Sequence, residues 1–152
     1  MVVRQAVADM WDLHATGAVV AVTTNGLVGR DGRAVLGRGC ARQAGARYEW
    51  FAPRLGALIA SAGNHVFHVG DGVVSFPVEH GPYENPDLRL IARSARELSA
   101  LANDEGWPLV VLPRPGCGAG GLDWREVEPI LGPRLDDRFL VVGPPVRPGG
   151  ET

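Results

Sequence analysis

The stretch PLVVLPRPGCGAGGLDW, residues 108–124, decides the fold. Its first six residues, 108–113, are an apolar run bounded by prolines, as expected of a strand covered on both faces. Four of the six residues from Gly116 to Gly121 are glycine. Asp123, with Glu126 three positions on, then opens a helix as an N-cap with its partner. A buried strand, a glycine loop and a helix start are the parts of an open α/β sheet, which binds ligands at the carboxyl ends of its strands. Glycine lets the backbone turn with positive φ and bring its N–H groups close to a guest. Successive N–H groups beside a helix N-terminus favour an anion, so a phosphate or diphosphate is the natural occupant. The same composition also suits a plain turn, and no Gly-Lys-Ser/Thr follows either glycine loop to make a Walker motif.

Working outward, residues 17–23 (GAVVAVT) form a second near-continuous apolar strand, followed by a polar, glycine-rich loop from Thr23 to Gly39. Residues 34–48 have helical composition despite Gly37 and Gly39. Residues 2–7, 72–77 and 138–142 read as further strands. Residues 57–62 and 65–69 are expected to pair as a hairpin about Gly63-Asn64. A helix should run from Asp87 to about Asn103, because Leu88, Ile91, Ala95, Leu98 and Ala102 recur at spacings of three and four, and Gly106 stops it. Alternating strands and helices with a central hairpin imply a mixed sheet covered by helices, an α/β/α sandwich. The expected organisation is one domain, 1–142, with a Pro/Gly-rich tail at 143–152.

The composition excludes some chemistry. All 15 basic residues are arginine, so no lysine nucleophile, Schiff base or P-loop lysine exists. Net charge is −2 and the arginines form no run, which gives no field for nucleic acid. No apolar stretch approaches the ~20 residues that span a bilayer. Cys40 and Cys117 match no metal spacing, and the N-terminus lacks the features of a signal peptide. The expectation is a cytoplasmic protein with reduced thiols and no metal. His65 and His68 lie in an alternating segment where i and i+3 face opposite sides, a poor arrangement for a shared metal.

Three segments together resemble the macrodomain family: Thr24-Asn25-Gly26, then Gly32 to Gly39, then Pro115 to Trp124. The resemblance is nearest to the branch of terminal ADP-ribose glycohydrolases and DarG antitoxins, and Gly-Cys-Gly…Leu-Asp-Trp is its most specific part. It spans residues 2 to about 142. It implies a mixed sheet between helices, with ADP-ribose in a cleft at the crest and no cofactor. It places Asp9 on the adenine amine, with Met10 against the base. Trp11 would either pack near the adenine or cover the domain edge. Thr24, Asn25 and Gly26 would line the distal ribose, with Thr23 also among the ligand-binding residues, and Gly37, Arg38 and Gly39 would pass along the diphosphate. Gly116, Cys117, Gly118, Ala119, Gly120 and Gly121 would close over the ligand from the other side. Cys117 reads as a small loop residue rather than a nucleophile, Trp124 as packing for its helix, and Tyr83 as a loop residue near the ribose end.

The resemblance breaks at two places. The glycohydrolase branch uses a lysine after its Phe-Pro strand end; here Phe76-Pro77-Val78-Glu79 puts Glu79 at or next to that position. Some members carry an acid where this chain has Gly120. The lysine-adduct route therefore does not transfer. The expected activity is lysine-independent hydrolysis of ADP-ribose from acidic side chains of modified proteins. Asn25 would position the ribose, and Glu79, His80 or Glu84 would polarise water. The alternatives are a binding module without turnover, and a phosphatase or deacetylase acting on free ADP-ribose derivatives.

Overall fold

The computed structural model describes residues 3–118 and 120–143. Its elements run β1 (Arg4–Val7), α1 (Met10–Ala15), β2 (Val19–Thr24), α2 (Cys40–Arg47), α3 (Phe51–Ala62), β3 (His68–Gly70), β4 (Val73–Pro77), α4 (Leu88–Glu105), β5 (Val110–Pro113), α5 (Trp124–Leu131) and β6 (Phe139–Gly143). The six strands form one sheet in the order β1-β6-β5-β2-β4-β3. Every pairing is parallel except the β3–β4 hairpin, so the sheet is mixed.

Two separate cores explain the apolar runs. Along β2, Val19 and Ala21 pack with Ile91, Ala95 and Leu98 of α4 and Val127 and Leu131 of α5. Val20 and Val22 point the other way, into a core with Met10 and Trp11 of α1, Ala44 of α2, and Phe51, Leu55 and Ile59 of α3. Successive residues of a strand face opposite sides, so a strand between two helical layers must be apolar throughout. Burying one valine fully contributes on the order of 1.5–3 kcal/mol before entropy is counted. The result is a three-layer α/β/α sandwich.

Several boundaries differ from the sequence reading. Residues 57–62 are the second half of α3, not a strand, because Phe51, Leu55 and Ile59 repeat every four residues and share one buried face. Gly63 ends that helix, and no hairpin forms at Gly63-Asn64. The hairpin sits instead at Asp71-Gly72, both with positive φ, between β3 and β4. Helix α2 begins only at Cys40, since Gly37 and Gly39 take φ of 69° and 77°, outside the helical region. Helix α1 was not expected at all: Asp9 caps it by accepting from the N–H groups of Trp11 and Asp12. Helix α4 runs close to its expected span, with Asp87 at its N-cap and Gly106 left-handed at its end. Gly143, assigned to the tail, is the last residue of β6; the rest of the tail, 144–152, lies outside the described residues.

Helix α3 packs against the loop before α2 with no room to spare. A Cβ on Gly56 would lie 2.0 Å from the carbonyl oxygen of Gly32 and 2.8 Å from the amide nitrogen of Ala34. Helix propensity alone favours Gly56→Ala by about 1 kcal/mol. The clash dominates, because backbone cannot swing aside as a side chain can. Gly56→Ala should therefore lose about 1–3 kcal/mol in urea unfolding. A midpoint at or above that of the unsubstituted protein would show that the contact does not constrain the fold.

Candidate functional site

The parallel strands β2, β4 and β5 end on the same edge of the sheet, and the chain opens there into a cleft of about 750 Å³. Its floor is the β2 terminus, Thr23, Thr24 and Asn25, and its sides are the two glycine loops. Asp9, Met10, Gly37, Arg38, Gly39, Gly116, Gly118, Gly120 and Glu79 all line it. Ala119 lies outside the described residues. Cys117 and Gly121 belong to the same loop but do not line the cleft.

At one end stands Asp9. Its Oδ1 accepts from Trp11 N at 2.8 Å and Asp12 N at 3.1 Å. Its Oδ2 takes no hydrogen bond among the described residues, so one carboxylate oxygen remains to accept from a guest. Arg114 and Gly143 share the cleft wall, and the Arg114 guanidinium lies 5.2 Å from the centre of the Trp124 ring. Trp124 itself is partly buried against the core, a packing role.

In the middle, Thr24 is 4% exposed and its hydroxyl oxygen has no hydrogen-bond partner among the described residues. A buried hydroxyl left unpaired costs about 1–3 kcal/mol. Asn25, also 4% exposed, uses its amide on its own loop: Nδ2 donates to Val35 O at 2.8 Å and Oδ1 accepts from Leu27 N at 2.9 Å. It shapes the loop that walls the cleft. Beneath Thr23, the Cys40 sulfur accepts from Thr23 N at 3.3 Å, and burial pushes its thiol pKa up, keeping it neutral.

At the other end stands Glu79. Three bonds fix its approach: Val78 N donates to Thr24 O at 3.0 Å, Asp87 N to Val78 O at 2.9 Å, and Ser94 Oγ to Pro77 O at 2.6 Å. Burial raises the Glu79 carboxyl above the usual carboxylate range; Arg38 opposes this and Glu84 adds to it. Tyr83, 98% exposed, stands at the rim.

The remaining expected residues fall elsewhere. His80 does not line the cleft; its Nε2 pairs with Asp87 Oδ2 at 3.0 Å, at the cap of α4. Glu84 is exposed and folds over Gly81 outside the lining. Cys117 turns toward the core, and burial raises its pKa. The acid expected of some resembled proteins has no room at Gly120, whose added Cβ would lie 2.5 Å from Pro86 Cγ and 2.8 Å from Gly116 O. Sequence reasoning missed Gln43, Cys40 and Arg114, which also line the cleft. Gln43 and Cys40 follow Gly39 within one helical turn, so the start of α2 was the available signal.

The His80–Asp87 pair predicts a pH dependence. The hydrogen bond from His80 holds the Asp87 carboxyl below its usual range, and the Arg89 amide assists. A depressed acid contributes stability above its unfolded pKa and loses it as pH falls through its folded pKa. His80→Ala should thus unfold at lower urea than the unsubstituted protein at neutral pH. The difference should close as pH drops below the ordinary aspartate range; a difference independent of pH would contradict the coupling.

Neither a protein-family model nor a curated protein matches the sequence. Solved structures do. The macrodomain of Thermus aquaticus DarG is 17% identical with a TM-score of 0.76, over 93% of this chain and 98% of that one. The macrodomain of Mycobacterium tuberculosis DarG is 24% identical with a TM-score of 0.75, over 94% and 97%. Thermosipho africanus DarTG, solved in complex with ADP-ribose, is 15% identical with a TM-score of 0.71, over 91% of this chain and 41% of that one. With its six-stranded mixed sheet between helices and its cleft at the strand ends, the chain has the macrodomain fold, and it is similar to the macrodomains of DarG.

Proposed function

We propose that the cleft binds ADP-ribose and that the protein removes ADP-ribose from modified proteins. The observation that carries the binding is the cleft of about 750 Å³ at the strand ends, walled by the two glycine loops, with the Asp9 carboxylate at one end and Arg38 and Glu79 at the other. Asp9 Oδ2 accepts the adenine amine, and Met10 lies against the base. The backbone at Gly37–Gly39 and Gly116–Gly121 passes along the diphosphate, where Arg38 adds its charge. Thr23 and Thr24 lie beside the distal ribose, and Asn25 positions it through the loop that its amide holds. ADP-ribose bound to Thermosipho africanus DarTG supports the same ligand here.

Hydrolysis of an acidic side-chain ester needs little acid assistance, because the leaving group is a carboxylate. Glu79 is the base we assign: it lines the cleft, while His80 and Glu84 do not. Its carboxylate takes a proton from water, the water oxygen bonds to C1″, and the C1″–O bond breaks with its electrons on the departing carboxylate. Burial raises its pKa, so the fraction of Glu79 able to act as base grows with pH.

Calorimetry with ADP-ribose tests binding, and no heat at millimolar ligand would remove the whole site. For turnover, release of free ADP-ribose from glutamate-modified protein should rise with pH as Glu79 ionises. Glu79→Gln should keep ADP-ribose affinity within about threefold and lower release by about 10²-fold or more. His80→Ala should keep release. Asp9→Ala should erase the preference for ADP-ribose over its guanine analogue and weaken the α1 cap by about 1 kcal/mol. The second reading is a binding module without turnover. The glutamate in place of the lysine of the resembled glycohydrolases favours it, and undetectable release from protein that binds ADP-ribose normally would establish it.

A further inference from the structure

The start of α2 presents a side chain that the ligand assignments leave unused. Gln43 lines the cleft one turn beyond Gly39, facing the Asp9 end through Trp11. The indole Nε1 of Trp11 donates to Gln43 Oε1 at 2.8 Å. An indole N–H can only donate, so it must be met by the oxygen of the amide and never by its NH₂. The amide cannot flip without losing this bond. Trp11 in turn is buried in the α1–α3 core, and the Arg47 guanidinium, one turn along α2 from Gln43, covers its face at 4.6 Å from the ring centre. Gln43 Nε2 makes no hydrogen bond among the described residues. Gln43, an exposed residue of the cleft lining, thus has its oxygen committed to Trp11 and its Nε2 donor free among the described residues.

We infer that Gln43 is a specificity-determining residue whose Nε2 donates to an acceptor on the nucleoside half of the ligand, a ring nitrogen of the base or an oxygen of its ribose. This rests on the ADP-ribose reading and deepens it. Asp9 supplies an acceptor at that end and Gln43 a donor, so the pair reads both senses of hydrogen bonding on one nucleoside. Trp11 acts through Gln43 as a positioning residue.

The chain has two glutamines, Gln5 and Gln43, so the side-chain amide pair of Gln43 is readily assigned in ¹⁵N spectra by its loss in Gln43→Met. Titration with ADP-ribose, and separately with adenosine, should move that pair along the same saturation curve as the backbone amides near Asp9. Gln43→Glu keeps an oxygen for Trp11 but turns the donor into an acceptor. It should weaken both ligands by about tenfold or more, and Gln43→Met should weaken them less, as for one lost against one reversed hydrogen bond. Adenosine carries no phosphate, so charge repulsion cannot account for its loss. Weakening of ADP-ribose alone, with adenosine unchanged, would overturn the nucleoside assignment. Unchanged affinity for both ligands in both variants would overturn the inference while the ADP-ribose reading stands. Failure of the unsubstituted protein to bind either ligand would remove both.

Discussion

The parallel pairing of β2 with β4 is the constraint on which the site depends. It runs in register from Val20 with Val73 to Thr24 with Pro77 and continues past the strands in the bond from Val78 N to Thr24 O. That single ladder brings the buried Thr24 hydroxyl and the half-buried Glu79 carboxyl to the same edge of the sheet. It is stable because both strands are covered on both faces: Phe76 and Val74 pack toward α4, and Val73 packs toward α3. A slip of one residue would turn every buried valine to the wrong core.

Around this ladder the cleft is electrostatically two-ended. Asp9 and Arg114 stand near the β6 side, and Arg38 and Glu79 stand over the end of β4. Between them the lining combines the glycine loops with Thr23, Thr24 and Asn25, none of which carries a net charge. The absence of lysine then has a local meaning. The cleft carries arginine, and at the end of β4 it carries an acid, Glu79, whose carboxyl pKa is raised by burial.

The cleft is held from behind by residues that do not enter it. Ser94 reaches from α4 to the Pro77 carbonyl, Asn64 donates to the Glu79 carbonyl at 3.1 Å, and Glu97 takes both Val66 N and the His65 ring. These are polar groups on helices and on the connection before β3, tied to backbone at the strand ends. Their effect is to set where Glu79 leaves the sheet.

Much of this was legible in the sequence. The apolar runs at 17–23 and 108–113 marked strands buried on both faces, because burial on two sides leaves no room for alternation. The three-and-four spacing of apolar residues in α4 and its Asp87 and Gly106 caps were equally plain. The glycine loops could be named as cleft walls because they follow such strands, and the resemblance to macrodomains added Thr24, Arg38 and Glu79, all of which line the cleft. Residues 57–62 could not be distinguished, since a short apolar run suits either a strand or one face of a helix, and only packing of Phe51, Leu55 and Ile59 under the sheet chose the helix. Tertiary structure alone separated Glu79 from His80 and Glu84, three polar groups in one loop: the capping of α4 draws His80 to Asp87, and the β4 ladder directs Glu79 inward. It alone joined Gln43 to Trp11, 32 residues apart, because a hydrogen bond between two helices depends on how they pack and leaves no periodicity in the chain.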